Sequence, residues 1–338
     1  MAKPLLSFVI PCYRSAHTIG AVVQELTATL ETRSQDYDSE IILVNDGSPD
    51  DTAQVIRELC LQYPSLVFVD LSRNFGQHSA LMAGFHQVRG QIVICLDDDG
   101  QTPANECFQL IDKVAEGYDI VFAEYDKREF NRFRNWGSRF NAACNHYFFE
   151  QPKDLKVNSY FACQRFVVDC ALNYPNPFPY VSGLLFQSVS RYCNVPVHHR
   201  ARAEGKSGYT LKKLVSLWAN GVTAFSIKPL RIANYVGWIT AACGFLCALI
   251  TIIRKLVHPN MQAGWASTIS IMLLLGGGII GLMGIVGEYI GRIYLSINRY
   301  PQFVVRSVTR GGETASSPKA PVESEVSMDE NRSCNLGA

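Results

Sequence analysis

Short apolar runs alternate with amphipathic stretches over the first third of the chain. Residues 5–9 are apolar and β-prone and end near Pro11, which predicts a buried strand. Ser15 is placed to cap a helix reaching Glu31, with Ile19, Val22, Val23, Leu26 and Leu30 on one face. A second strand, residues 40–44, ends in the turn cluster Asn45-Asp46-Gly47-Ser48-Pro49. Asp51 is then placed to cap a helix carrying Val55, Ile56 and Leu59. The pattern repeats with strands at 66–71, 91–96 and 120–123 and helices at 78–88 and 104–116. Strands alternating with helices predict an α/β fold, a mostly parallel sheet covered on both faces. Ligands of such sheets sit at the carboxyl ends of strands, where Asp46 and Asp97–Asp99 fall.

The period then changes. In residues 127–149, Phe130, Phe133, Trp136, Phe140, Cys144 and Tyr147 recur at three- and four-residue steps, with Lys127, Arg128, Arg132, Arg134 and Arg139 between them. A basic side opposite an aromatic side is the composition of a helix lying at a bilayer surface. A second such stripe, in residues 211–230, runs through Leu211, Leu214, Val215, Trp218, Val222 and Phe225 behind Lys212 and Lys213. Residues 232–253 and 266–286 are nearly all apolar. About 20 apolar residues rising 1.5 Å each match a hydrocarbon core of roughly 30 Å. The connection at 258–264 is short, so the two spans form a hairpin. Lys228, Arg231, Arg292, Arg299, Arg306 and Arg310 flank its outer ends, against Arg254 and Lys255 on the hairpin side. That excess predicts a multi-pass protein of the inner (cytoplasmic) membrane with the globular domain and both termini in the cytoplasm.

Gly276, Gly278 and Gly281 match a dinucleotide-type pattern but follow no strand. Gly277/Gly281 and Gly287/Gly291 read instead as small-xxx-small helix contacts, which permit self-association into a homo-oligomer. Glu288 and Arg292, one turn apart, are spaced to pair. The resulting division is a globular domain at 1–210, a juxtamembrane helix at 211–230, spans at 231–257 and 265–297, and a disordered tail at 309–338.

Composition sharpens this picture. The 338 residues carry 31 Lys+Arg and 30 Asp+Glu, a net charge of +1, which excludes a strongly basic nucleic-acid binder. Charged residues are 18%, below the roughly 25% of a soluble domain, and the deficit falls after Arg231. Eleven cysteines without a CxxC pair disfavour a zinc cluster or disulfide framework and fit a reducing compartment.

The clearest chemistry is Asp97-Asp98-Asp99, directly after the apolar run Ile-Val-Ile-Cys-Leu. Clustered carboxylates at a strand end call for a cation or a polar ligand, unless they only cap the turn before Pro103, and hard oxygen ligands suit Mg²⁺ or Mn²⁺ bridging to phosphate. Asp97 and Asp99 form a D-x-D pair, with Gln101 two residues on. Asp46 is placed to accept a hydrogen bond from a base N–H or to make an Asx turn.

Four segments, VIPCY (9–13), VNDGSPDDT (44–52), LSRNFGQHSALMAGF (71–85) and LDDDGQTP (96–103), resemble glycosyltransferase family 2, which has the Rossmann-like GT-A fold. The later VPVHHRARAEGKSGYTLKKL (195–214), the basic amphipathic helix and the hairpin ending GEYIGRIY (287–294) resemble its polyprenyl-phosphate members. The resemblance implies that Pro11, Tyr13, Asp46, Gly47, Asn74, Asp97 and Asp98 hold the nucleotide. It implies that Asp97 and Asp99 hold the metal, and that Asp97, Asp99, Gln101 and Arg202 serve catalysis. His78, Asn158 and Ser159 would line the donor-sugar pocket. Arg134, Ser138, Arg139, Arg202, Lys206 and Ser207 would hold the lipid phosphate.

Two departures stand out. Arg202, Gly205, Ser207 and Tyr209 match the family's R-x-x-G-x-S-K-Y, but Gly208 replaces its Lys. Where many members carry an acid in a Gly-Asp-Phe-Arg-like stretch, this chain has Val157-Asn158-Ser159-Tyr160-Phe161. Arg14 also stands where Asn is frequent. The missing acid is compatible with a lipid phosphate acceptor, because a phosphate monoester with a second pKa of about 6 is already ionised.

The expected reaction is inverting transfer of a sugar from a nucleotide, UDP in preference to GDP, to polyprenyl (undecaprenyl) phosphate. The alternatives are a GDP-mannose-dependent synthase and an inactive membrane scaffold that keeps the fold. A processive synthase would need a QxxRW motif and more spans. A dinucleotide oxidoreductase would need a glycine-rich turn after the first strand, where Pro11-Cys12-Tyr13 stands.

Overall fold

The computed structural model describes residues 3–125, 155–198, 228–257, 264–298 and 300–312. Strands β1 (Leu5–Cys12), β2 (Asp38–Asn45), β3 (Leu66–Leu71) and β4 (Ile92–Cys95) alternate with helices α1 (Ile19–Glu31), α2 (Thr52–Gln62) and α3 (Gln77–Phe85). A 3-10 turn (Ala104–Glu106) leads into α4 (Cys107–Ala115), β5 (Ile120–Tyr125), β6 (Phe161–Gln164), α5 (Arg165–Leu172), α6 (Val181–Gln187) and β7 (Tyr192–Val197). The long helices α7 (Lys228–Val257) and α8 (Trp265–Ile297) precede a last strand, β8 (Val305–Arg310).

All eight strands form one sheet in the order β7-β5-β6-β4-β1-β2-β3-β8. The β1–β2, β1–β4, β2–β3 and β5–β7 pairs are parallel. β6 and β8 run antiparallel to their neighbours, so the sheet is more mixed than the strand–helix alternation predicts. Alternate residues of β1 feed two cores. Leu6, Phe8 and Ile10 pack with α1, α2 and α4 on one face, and Val9 packs with α3, α5 and α6 on the other. This is why the strands read as continuous apolar runs.

Pro11 lies within β1 and does not end it. Val9 O accepts from Leu96 on the β4 side and Cys12 O from Asp46 on the β2 side. By alternation the Pro11 nitrogen faces β4, which has already ended at Cys95, so no ladder bond is lost.

Neither expected cap forms with its side chain: Thr18 and Asp51 occupy the two N-cap positions without side-chain cap bonds. The Ser15 hydroxyl is drawn to Asp98, and Asp50 accepts the Thr52 hydroxyl at 2.6 Å.

β8 is the larger surprise. Thr309 and Arg310, expected to open a disordered tail, are paired with Phe68 and Val67 of β3. Strand signals there are short and sit beside a membrane span, so their partner is visible only in three dimensions. The amphipathic 127–149 and 211–227 stretches lie outside the described residues, as does 313–338.

Helices α7 and α8 are long and apolar enough to cross a membrane, with mean hydropathy of 1.6 over Lys228–Thr251 and 1.5 over Leu274–Ile297. Their apolar side chains, such as Trp238 at 71% and Leu274 at 76%, are exposed, not folded into a core. Arg292 pairs with Glu288 at 2.9 Å, as their spacing predicts. Among the described residues of this chain, a Cβ added at Gly277, Gly281, Gly287 or Gly291 would meet nothing within 4 Å.

Candidate active site

β1 lies between β2 and β4, and the chain leaves it in opposite directions. A crevice forms at such a switch point, outside the carboxyl ends of the strands. Into it run Tyr13–Ser15 after β1, Asp46–Ser48 after β2, and Asp97–Asp99 after β4.

The three aspartates have different partners. Asp97 accepts from Gln77 Nε2 at 3.3 Å and from the Ser159 hydroxyl. Asp98 accepts from the Tyr13 backbone N–H at 3.0 Å and from the Ser15 hydroxyl, which ties the β1 turn to the β4 end. Asp99 accepts from the Gln101 N–H at 3.1 Å. Loss of water pushes the Asp97 carboxyl up to about 6, and the neighbouring Asp99 and Asp98 charges add to it while Ser159 and Gln77 oppose it. Asp98 is raised for the same first reason, burial. Tyr125, at the end of β5, is pushed up to about 12 by burial and by the Asp97 and Asp99 charges, so it remains a neutral phenol.

Asp46 is 3% exposed and grips a loop. Its two oxygens accept from the Phe75 and Gly76 backbone N–H groups at 2.7 and 2.9 Å. Burial raises its carboxyl and these two bonds oppose the rise. The turn is closed instead by Asn45, whose Oδ1 accepts from Ser48 N, three residues on, at 3.2 Å. Gly47 has φ +56° and passes so close to the loop that a Cβ would sit 2.2 Å from the Arg73 carbonyl carbon. Asn74 is exposed on that same loop. Arg14 is the one non-glycine residue at positive φ among those described (59°). Asn adopts that conformation more readily than Arg, so the position carries local strain at the crevice rim.

Tyr13, Asp46, Gly47, Asn74, Asp97, Asp98, Asp99, Gln101 and Ser159 therefore gather at the carboxyl ends of β1, β2 and β4 and the loop before α3, with Pro11 buried in β1. Asn158 is committed to backbone, donating to Ala123 O and accepting from Tyr160 N at 2.8 Å. His78 faces Tyr180 edge-on at 5.3 Å, and its Nδ1 has no hydrogen-bond partner among the described residues. Burial holds its imidazole down at about 4, so it is neutral. Arg134, Ser138, Arg139, Arg202, Lys206 and Ser207 lie outside the described residues. Three participants escaped the sequence reading. Gln77 lies in a matched segment but was not singled out, Ser15 was read as a cap, and Tyr125 lies beyond the expected end of its strand.

Comparison with known proteins bears on what this crevice serves. Residues 7–168 match the model of Glycosyl transferase family 2, and residues 228–293 match that of the GtrB C-terminal hairpin. The chain is 33% identical over 339 aligned residues to the undecaprenyl-phosphate 4-deoxy-4-formamido-L-arabinose transferase of Pseudomonas fluorescens (strain SBW25), covering 98% of this chain and 97% of that one. The chain belongs to glycosyltransferase family 2. A second relative, the uncharacterized glycosyltransferase YkcC of Bacillus subtilis (strain 168), is 32% identical over 89% of this chain and 93% of its own. Among solved structures, glucosyl-3-phosphoglycerate synthase from Mycobacterium tuberculosis in complex with uridine-diphosphate aligns with a TM-score of 0.50 at 18% identity. It covers 66% of this chain and 79% of that one, a likeness of fold.

Among the described residues no group of three or more His, Cys, Asp or Glu side chains is arranged to hold a metal ion. The Asp97–Asp99 cluster offers carboxylate oxygen only, the donor set that takes Mg²⁺ or Mn²⁺ with water and substrate phosphate completing the shell.

Proposed function

We propose that this protein transfers a sugar from a nucleotide, UDP in preference to GDP, to polyprenyl phosphate at the cytoplasmic face of a membrane. The observation that carries this reading is the acidic D-x-D crevice on the same chain as two membrane-length helices. Asp97 and Asp99 would hold Mg²⁺ or Mn²⁺, which when bound offsets charge on the departing nucleoside diphosphate. Gln77 and Ser159 orient Asp97, and Asp98 fixes the turn that presents Tyr13. Asn158 and Ser159, where many members carry an acid, are engaged with backbone and with Asp97. This fits an acceptor that arrives ionised and needs no base, only positioning and relief of repulsion. Arg134, Ser138, Arg139, Arg202, Lys206 and Ser207 are the groups proposed to supply that relief, since guanidinium forks match phosphate oxygens.

The β3–β8 pairing supports a topology in which both outer ends of the hairpin lie on the side of the catalytic domain. The cationic excess at those ends favours the cytoplasm. The test is to supply the purified protein with labelled UDP- and GDP-sugars and undecaprenyl phosphate, with Mg²⁺, Mn²⁺ or a chelator. Organic-extractable label from one donor, lost with chelator and in Asp99→Asn, is the expected result. No label from any donor, with no nucleotide binding, would favour the scaffold instead.

A further inference from the structure

The loop from Ser72 to Gly76, which leads into α3, is held from two sides. Asp46 and Gly47 grip it from within, as described above. From outside it is held by the chain that leaves the second membrane helix. Arg73 donates to the Tyr300 hydroxyl at 3.3 Å. Ser72 N donates to Val304 O at 2.9 Å, and Arg306 Nη2 donates to Ser72 O at 3.0 Å. The same guanidinium reaches the Asp70 carboxylate at 3.6 Å, opposite Arg57 at 3.5 Å. Asp70 is 1% exposed, and its other oxygen accepts from Asn45 Nδ2 at 2.7 Å, one residue before Asp46. Phe303 lies edge-on to His86 at the far end of α3, 5.6 Å between centroids. A short segment thus touches both ends of the connection that delivers Gln77 to Asp97.

We infer that residues 300–306 are a clamp coupling the cytoplasmic end of α8 to the donor loop, with Arg306 its principal positioning residue. Strand pairing alone would hold β8 on β3. Arg306 adds a bond to the carbonyl at the base of the loop and a counter-charge to a buried carboxylate linked to the same wall. Its side chain is 61% exposed, so it contributes little to the core, and its removal leaves Asp70 with Arg57 and Asn45. The role is one of positioning: in the described residues Arg306 touches the loop backbone and Asp70 of β3, not Asp97, Asp98 or Asp99. The inference rests on the proposed reading of the crevice as a nucleotide site.

The test uses the full-length protein in detergent. UDP binding with Mn²⁺ is titrated calorimetrically for wild type, Arg306→Ala, Arg306→Lys and Tyr300→Phe. Transfer kinetics are then measured with the donor and acceptor varied separately. In Arg306→Ala the UDP Kd and the donor KM rise about tenfold, the loss of one charge-assisted hydrogen bond. kcat and the KM for undecaprenyl phosphate hold at wild-type values. Arg306→Lys recovers part of the donor affinity, and Tyr300→Phe shows a smaller rise of the same kind. Unchanged UDP affinity in Arg306→Ala would overturn the clamp. So would a variant whose donor and acceptor KM worsen together with a lowered melting temperature, the mark of general destabilisation. Wild type that binds neither UDP nor GDP would overturn the nucleotide reading itself, and the clamp with it.

Discussion

Proton competition at Asp97 gives the account a measurable pH dependence. Its carboxyl is raised from 3.8 to about 6, first because the crevice strips it of water and then because Asp99 and Asp98 repel its charge. A shift of about 2 units corresponds to up to about 3 kcal/mol at 1.36 kcal/mol per unit, less whatever screening the open side of the crevice provides. The folded state holds this proton more tightly than the unfolded chain. Stability from this group is therefore complete below about pH 4 and is lost as pH rises through about 6. At pH 7 the metal-free protein carries the full penalty, and a cation removes it. A metal that needs the ionised carboxylate must displace the proton at lower pH. Mn²⁺-dependent UDP binding is then expected to weaken about tenfold between pH 7 and pH 5. Ser159→Ala removes a donor to that carboxylate, a bond worth about 1.5 kcal/mol to a charged group, and moves the acid limb upward by about one unit. The assay is calorimetric titration of UDP at fixed Mn²⁺ across pH 5–8, with wild type and Ser159→Ala side by side. A flat affinity from pH 5 to 7, or a limb that stays in place in Ser159→Ala, would refute the reasoning.

Other expectations follow from single contacts. Asp97→Asn should raise the melting temperature of the metal-free protein at pH 7 while abolishing the further rise on adding Mn²⁺ and UDP; loss of stability would contradict the burial argument. Gly47→Ala puts a Cβ 2.2 Å from the Arg73 backbone at φ +56°, so it should displace the loop and weaken UDP binding at least tenfold while the protein still folds, read by calorimetry and circular dichroism. Arg89 donates to the buried Glu40 carboxylate through its backbone N–H at 2.7 Å and through its guanidinium at 2.8 Å, far from the crevice. Arg89→Ala should lower stability by about 1–2 kcal/mol, given its half-exposed side chain, with donor KM unchanged.

Much of this architecture was legible in the amino-acid order because the first five strands are buried on both faces. Their apolar runs and the turn residues after them mark the strand ends that carry Asp46 and Asp97–Asp99. β6, α5, α6 and β7 were not assigned: they are short, follow a long amphipathic stretch, and take their register from β4 and β5. β8 went unrecognised because its partner, β3, lies more than two hundred residues earlier and the membrane helices intervene. In the crevice, residue types pointed to the carboxylates but not to their partners. Nothing local in the sequence says that Ser15 turns to Asp98 or that Gln77 and Ser159 meet at Asp97, since those bonds join separate strand ends. Arg14 is the converse case, a residue whose departure from the family's usual Asn coincides with a positive φ visible only in the structure.

The central claim is that a glycosyl group, not a sugar phosphate, passes to a lipid phosphate. It is tested most directly by mass spectrometry of the lipid product together with identification of the released nucleotide, using purified protein, undecaprenyl phosphate, Mn²⁺ and the UDP-sugar that gives extractable label. The account predicts a lipid carrying one phosphate and one sugar, with UDP released in equal amount. A lipid diphosphate with UMP released, or nucleotide-sugar hydrolysis with no lipid product, would contradict it.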